Sequence, residues 1–176
     1  FASKKLIKYK EMAISTGGVL MTFEGNPDKV IVKAVGDKPS DYKVTHKLRS
    51  DSVKIWFDAG KENIGVAVSE NLKFSYDIGT KQDTVSIFYK KPAKEDMTVS
   101  NPFSNELAPG SDFRFASNYI INKIQPENWK LESDSISQNF TAKISELDST
   151  QVIVKSNFVV GKKYKLTVPK NTVISF

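Results

Sequence analysis

His46 is the only histidine in the chain and no cysteine accompanies it, so one imidazole is all that could move a proton near neutral pH without a perturbed pKa. Such a base needs a hydroxyl or thiol to activate, and "YKVTHKL" (42–48) supplies no nucleophile by motif. Alternation places Tyr42, Val44, His46 and Leu48 on one strand face, which makes His46 a half-buried structural residue. One imidazole and no thiolate exclude a zinc site. Acid-rich turns occur at "ESDS" (132–135) and "SELDST" (145–150), but no D-x-D-x-D-G loop gathers the six or more oxygens that calcium takes. "STGGV" and "VVGKKY" lack the strand-to-helix setting of a phosphate loop and read as turns. No catalytic residue, metal or cofactor is expected.

Two other sets of residues can do chemistry. "SDSVKIWF" (50–57) and "QDTVSIFY" (82–89) share an Asp, a Ser or Thr, Val-x-Ile and two aromatics. Alternation sends Val53, Ile55 and Phe57 to one face and Ser52, Lys54 and Trp56 to the other; Val85, Ile87 and Tyr89 likewise oppose Thr84, Ser86 and Phe88. Each copy leaves one large aromatic, Trp56 or Phe88, on a polar face. There it covers a lysine stem, packs on a neighbour, or stacks on a sugar or partner protein. Trp129, just after Pro126, reads instead as a core plug. The second set is hydroxyls. An Asp, a Ser or Thr, and then an aliphatic residue or Thr occur four times, as "DSV" (51–53), "DTV" (83–85), "DSI" (134–136) and "DST" (148–150). Chance gives roughly 0.6 occurrences at this composition. Turn grammar accounts for them too, since Asp and Ser cap backbone N–H groups where a β-branched residue starts a strand.

The elements that must position these residues are strands. Helical periodicity is nearly absent, and alternating runs rich in Val, Ile, Thr, Phe and Tyr recur every 8 to 12 residues. Strands are predicted over 5–14, 19–25, 29–35, 42–48, 52–58, 63–69, 72–78 and 84–90. "PAKEDMTVSNPFSNELAPGSD" (92–112) then brings three prolines and few consecutive strand formers. Strand signals resume over 112–117, 129–133, 137–147, 150–156, 163–169 and 172–176, with "NYIINKIQPENW" (118–129) as a short helical turn or loop between sheets. The chain of 176 residues therefore reads as all-β, with two consecutive antiparallel β-sandwiches, 1–92 and 93–176.

The second half resembles bacterial Ig-like domains. Gly161, Tyr164, Leu166 and Val168 in "FVVGKKYKLTVPKNTV" (158–173) match their late L-x-x-G-x-x-Y-x-V-x-V pattern. The early pattern is looser, with Tyr119 where that family commonly has Pro. The first half, with "TFEGNP" (22–27), "DSVKIWF" and "DTVSI", resembles the middle region of Bacteroidetes-type Ig-like lipoproteins of the cell envelope. The resemblance implies an internal fragment of an exported, outer-membrane-anchored protein, periplasmic or surface-exposed, whose membrane anchor lies outside this fragment. It implies an Ig-like second sandwich and no activity. It also gives the four triplets a second meaning, because they resemble the O-glycosylation signal of such proteins, which would place sugar on Ser52, Thr84, Ser135 and Ser149.

Charge narrows the partners. The net charge of +6 comes from 26 Lys and Arg against 20 Asp and Glu, with only Arg49 and Arg114 as arginines. Lysines scattered among acids describe solubilised strand faces rather than the clustered basic surface of a nucleic-acid binder. The expected role is a non-enzymatic structural and protein-interaction module, docking a partner in an envelope or surface complex through sheet edges and loops. The alternative is a carbohydrate-binding module, for which three coplanar exposed aromatics would be needed. An enzyme is the third reading, and it needs a cleft with paired carboxylates.

Overall fold

Strands with one apolar face need a second apolar face to cover it. The computed structural model provides it with antiparallel sheets, and it describes residues 6–57, 65–93, 95–103 and 106–176. No α-helix occurs among these residues. The chain divides into two compact units, Phe1–Glu95 and Asp96–Phe176, a border three residues beyond the one at which the prolines begin.

The first unit contains β1 (Lys8–Ser15), β2 (Gly18–Glu24), β3 (Ile31–Ala34), β4 (Lys43–His46), β5 (Ser52–Trp56), β6 (Ser69–Asp77) and β7 (Gln82–Lys90). One sheet runs β1-β2-β5-β4 and the other β3-β6-β7. Their inward residues interleave as one core: Val19, Met21 and Phe23 from β2, Val53, Ile55 and Phe57 from β5 and its end, Val32 from β3, Leu72, Phe74 and Tyr76 from β6, and Tyr89 from β7. Aromatic edges lock the two layers, with Phe23 edge-on to Tyr76 at 5.4 Å and Phe57 edge-on to Tyr89 at 5.1 Å. The alternation in β1 is interrupted by a bulge between Tyr9 and Glu11. That extra residue lets Tyr9 and Met12, three apart, both pack on the core. The strand predicted over 63–69 is not formed where it is described: 65–68 are bend and coil, and β6 begins at Ser69. Its remaining residues, 63 and 64, lie outside the described residues.

The second unit contains β8 (Val99–Ser100), β9 (Phe113–Ser117), β10 (Ile121–Ile124), a 3₁₀ turn (Pro126–Asn128), β11 (Lys130–Ser133), β12 (Ile136–Ser137), β13 (Thr141–Ile144), β14 (Gln151–Lys155), β15 (Lys165–Thr167) and β16 (Val173–Ser175). Its sheets run β13-β14-β9-β8, β12-β11-β15 and β10-β16. The segment expected as a turn or loop crossing is part strand, since Ile121–Ile124 pairs with β16 before Pro126 opens the 3₁₀ turn. Phe115, Ile121, Trp129, Val152 and Val154 form the core. The indole of Trp129 lies 5.6 Å from the Phe115 ring and donates its N–H to Thr172 Oγ1 at 2.8 Å.

One buried group in this unit is badly served. β11 and β12 join through Asp134 and Ser135, both at positive φ (52° and 63°), the pattern of a type I′ hairpin. Just before the turn, Ser133 is buried and its hydroxyl has no hydrogen-bond partner among the described residues. A desolvated hydroxyl without a partner costs about 1 kcal/mol or more. Ser133→Ala is therefore expected to raise the melting midpoint of this unit by about 4–8 °C per kcal/mol recovered. Thermal melts followed by Trp129 emission check this, and a lowered midpoint refutes it.

Candidate functional site

His46 and Asp148 serve turns. The His46 imidazole donates from Nε2 to the Ser50 carbonyl at 3.0 Å, closing the β4–β5 connection. Asp148 accepts from the Thr150 N–H and hydroxyl on one oxygen and from the Gln151 side-chain amide on the other. Glu132 sits 3.6 Å from Lys130 on its own strand. The Ala67 N–H and the Lys38 ammonium, 3.0 Å away, hold the Glu70 carboxyl below its usual range. Burial pushes the Tyr9 and Tyr76 hydroxyls above theirs, reinforced at Tyr9 by the neighbouring Tyr76 and then Glu11, and at Tyr76 by Asp83. Among the described residues no three His, Asp or Glu side chains are grouped so as to hold a metal ion.

The two polar-face aromatics separate. Trp56 is on the face that alternation gave it, but it is 6% exposed. Its N–H donates to Thr45 Oγ1 of the neighbouring strand at 2.9 Å, and Lys54 Nζ stands 4.3 Å over its ring. The ring is covered by the lysine and strand β4 and presents no open face. Phe88 is 62% exposed on β7. Among the described residues the other exposed aromatic is Phe103, in the second unit, so no sheet carries three coplanar rings.

The four hydroxyls also differ. Ser52 is half-buried and bonds Asp51 at 2.9 Å and Thr22 at 3.3 Å. Ser149 is half-buried beside the Asp148 turn. Thr84 and Ser135 are exposed, the latter at the tip of the type I′ hairpin. Thr84 departs from the expected turn-to-strand junction, because it lies inside β7, with its N–H on the Asp83 carboxylate at 2.8 Å.

A concave site appears where no motif marked one. A groove of about 890 Å³ opens on the second unit, with Phe113, Phe115, Leu166, Val168 and Val173 on its floor. Those five belong to, or pack on, the hydrophobic core. Val99 of β8 and Ile174 of β16, both exposed apolar residues, form its rim, and Pro169, Lys170 and Asn171 form one wall. Among the described residues, β8 and β15 are each the last strand of their sheet, and β16 pairs only with β10. Leu166 and Val168, two apart in "KLTV", and Phe113 and Phe115, two apart in "DFRF", are the local signals of apolar strand faces here. Comparison with known proteins finds no matching family model, no matching curated protein and no matching solved structure.

Proposed function

We propose that this chain is a non-enzymatic protein-interaction module whose second unit receives an extended segment of a partner protein in the groove between β8, β15 and β16. The observation that carries this reading is the floor: the half-buried Phe113, Leu166, Val168 and Val173, packed on the core, line a groove between strands that, among the described residues, each lack a paired neighbour on one side. An added strand would satisfy both deficits, pairing its backbone with an edge and dropping alternate apolar side chains onto the half-buried Phe113 and Leu166. The Ig-like character of this unit, and an exported, envelope-anchored setting, belong to the same proposal and rest on the Gly161, Tyr164, Leu166, Val168 pattern. In that setting Thr84 and Ser135, as the exposed pair of the four hydroxyls, would carry sugar first. A sugar-binding platform has less support, because Phe88 and Phe103 lie on different units.

Selection of extended peptides from a display library on the whole chain tests the reading. Peptides with alternating apolar residues are expected, and their binding should shift the backbone amide signals of β8, β15 and β16. Val99→Lys, at a rim position that leaves the core intact, should weaken binding about tenfold by withdrawing one buried aliphatic contact. Failure to select any peptide, or equal binding by the V99K variant, overturns the reading.

A further inference from the structure

The outer margin of an edge strand is a row of N–H and C=O groups that no neighbour meets, and proteins blunt it with short strands, bulges or charges. Among the described residues the first unit has four such edges, β1 and β4 in one sheet and β3 and β7 in the other. β1 carries the bulge between Tyr9 and Glu11 and the charges of Lys8, Lys10 and Glu11. β3 and β4 have four residues each and include Lys33 and Lys43. β7 has none of these devices. It runs nine residues in unbroken register with β6, and residues 84–89 hold neither a charge nor a proline. β1 of the other sheet approaches β7 but pairs only with β2.

Two bonds fix which groups of β7 point outward. At the hairpin end the Ile78 N–H donates to the Lys81 carbonyl at 3.1 Å, and at the far end the Lys91 N–H donates to the Val68 carbonyl at 2.8 Å. Bonded pairs alternate along an antiparallel ladder, so odd-numbered residues of β7 direct their backbone groups to β6 and even-numbered ones direct theirs away. Thr84 agrees, since its N–H goes to Asp83 Oδ1 at 2.8 Å. The outward groups are those of Gln82, Thr84, Ser86, Phe88 and Lys90.

We infer that two copies of this chain pair antiparallel through β7 about a two-fold axis at Ser86, which joins their three-stranded sheets into one. Ser86 is the midpoint of Gln82–Lys90, and its parity is even, so the register of full overlap is also one in which outward groups meet outward groups. Ser86 then faces its own copy, Thr84 faces the partner's Phe88 and Gln82 faces the partner's Lys90. Side chains fit the same register. Phe88, 62% exposed, gains a β-branched neighbour in the partner's Thr84, and the half-buried Val85 and Ile87 meet across the axis on the core side. Asp83, the one acid of the strand, comes diagonal to the partner's Lys91, so opposite charges meet at both ends. Its Thr84 N–H passes to the partner's Phe88 carbonyl. A two-fold contact of this kind closes at two copies. It involves the first unit alone and stands apart from the peptide-binding reading. A sugar on Thr84 would stand where the partner's Phe88 belongs, so the test uses the chain without sugar.

Sedimentation velocity of the whole chain from about 10 μM to about 1 mM tests it. The mass is expected to rise from 19.7 kDa to about twice that and no further. Ser86→Lys sets like charges directly opposite each other across the axis and should weaken the dimer about tenfold. Its melting midpoint measured on the monomer should not move, because Ser86 is exposed. Amide exchange reads the parity: at high concentration the Ser86 and Phe88 amides should slow about tenfold, while those of Val85 and Ile87, already held by β6, should not change. Register is read by cysteine, of which the chain has none. With oxidised glutathione, Ser86→Cys should crosslink readily, its Cα atoms about 5.5 Å apart. Thr84→Cys, set four residues from its own copy at about 13 Å, should not. A single species of 19.7 kDa throughout, or growth beyond two copies, overturns the inference. A dimer indifferent to S86K, equal crosslinking of the two cysteine variants, or unchanged exchange at Ser86 and Phe88 overturns it as well, and places any association elsewhere.

Discussion

Gly18→Ala is expected to cost the first unit roughly 3 kcal/mol or more, a large share of the about 5–15 kcal/mol that holds a domain folded. Gly18 opens β2 between two partners, opposite Ser15 of β1 and opposite Trp56 of β5. A Cβ added there overlaps the Ile55 carbonyl oxygen and comes within 2.9 Å of its carbon and 3.2 Å of Trp56 Cα. All three are backbone atoms of the sheet, so no side chain can rotate to make room. β2 and β5 would have to part, and between them they carry Val19, Met21, Val53 and Ile55, none of which is exposed at all. Gly36→Ala is the control. Gly36 has φ 89° and open space around the added carbon, so the backbone alone is strained, at about 1 kcal/mol. Urea unfolding followed by Trp56 emission separates the two variants. If Gly18→Ala lands within about 1 kcal/mol of Gly36→Ala, the close-approach account is wrong.

The contrast between β5 and the groove shows what the residue order can and cannot reveal. In β5 and β7 the period of two is local, and Val53, Ile55, Phe57 and Val85, Ile87, Tyr89 face the core as their spacing requires. Face, however, does not determine exposure. Trp56 lies on the polar face and is still buried, because Thr45 and Lys54 happen to be placed to accept its N–H and cover its ring. β8 and β12 have two residues each, too few for any period to show. β10 was masked by its nearness to Pro126, although Ile121 and Ile124 both point to the core across the bulge in its pairing with β16. The groove is harder still, since its floor and rim come from residues between 97 and 175. Its strands β8, β15 and β16 belong to three different sheets and, among the described residues, each has an edge without a paired strand, and edges are a property of topology rather than of any segment.

Trp129→Ala is expected to destabilise the second unit by about 3–5 kcal/mol, the usual consequence of emptying a buried indole site. Trp129→Phe is the more informative change. It keeps a ring against Phe115 but removes the donor to Thr172 Oγ1, a buried hydroxyl that itself donates to the Pro169 carbonyl at 2.6 Å. The Gln125 N–H also bonds the Thr172 carbonyl at 2.9 Å. Thr172 thus ties the 3₁₀ segment to the 169–172 turn, and that turn is a wall of the groove. The expected cost is about 1–2 kcal/mol by circular dichroism melts, with the unit still folded and binding of a groove-selected peptide reduced about threefold. Thr172→Val should give a similar loss, and combining it with Trp129→Phe should add less than the sum of the two, because both remove one shared bond. Full additivity would mean the indole N–H is indifferent to Thr172. Stability lost without any change in peptide binding would mean that β16 alone holds the wall. Trp129 and Thr172 are 43 residues apart in sequence, so this one bond lets a core residue set the shape of a surface it does not reach.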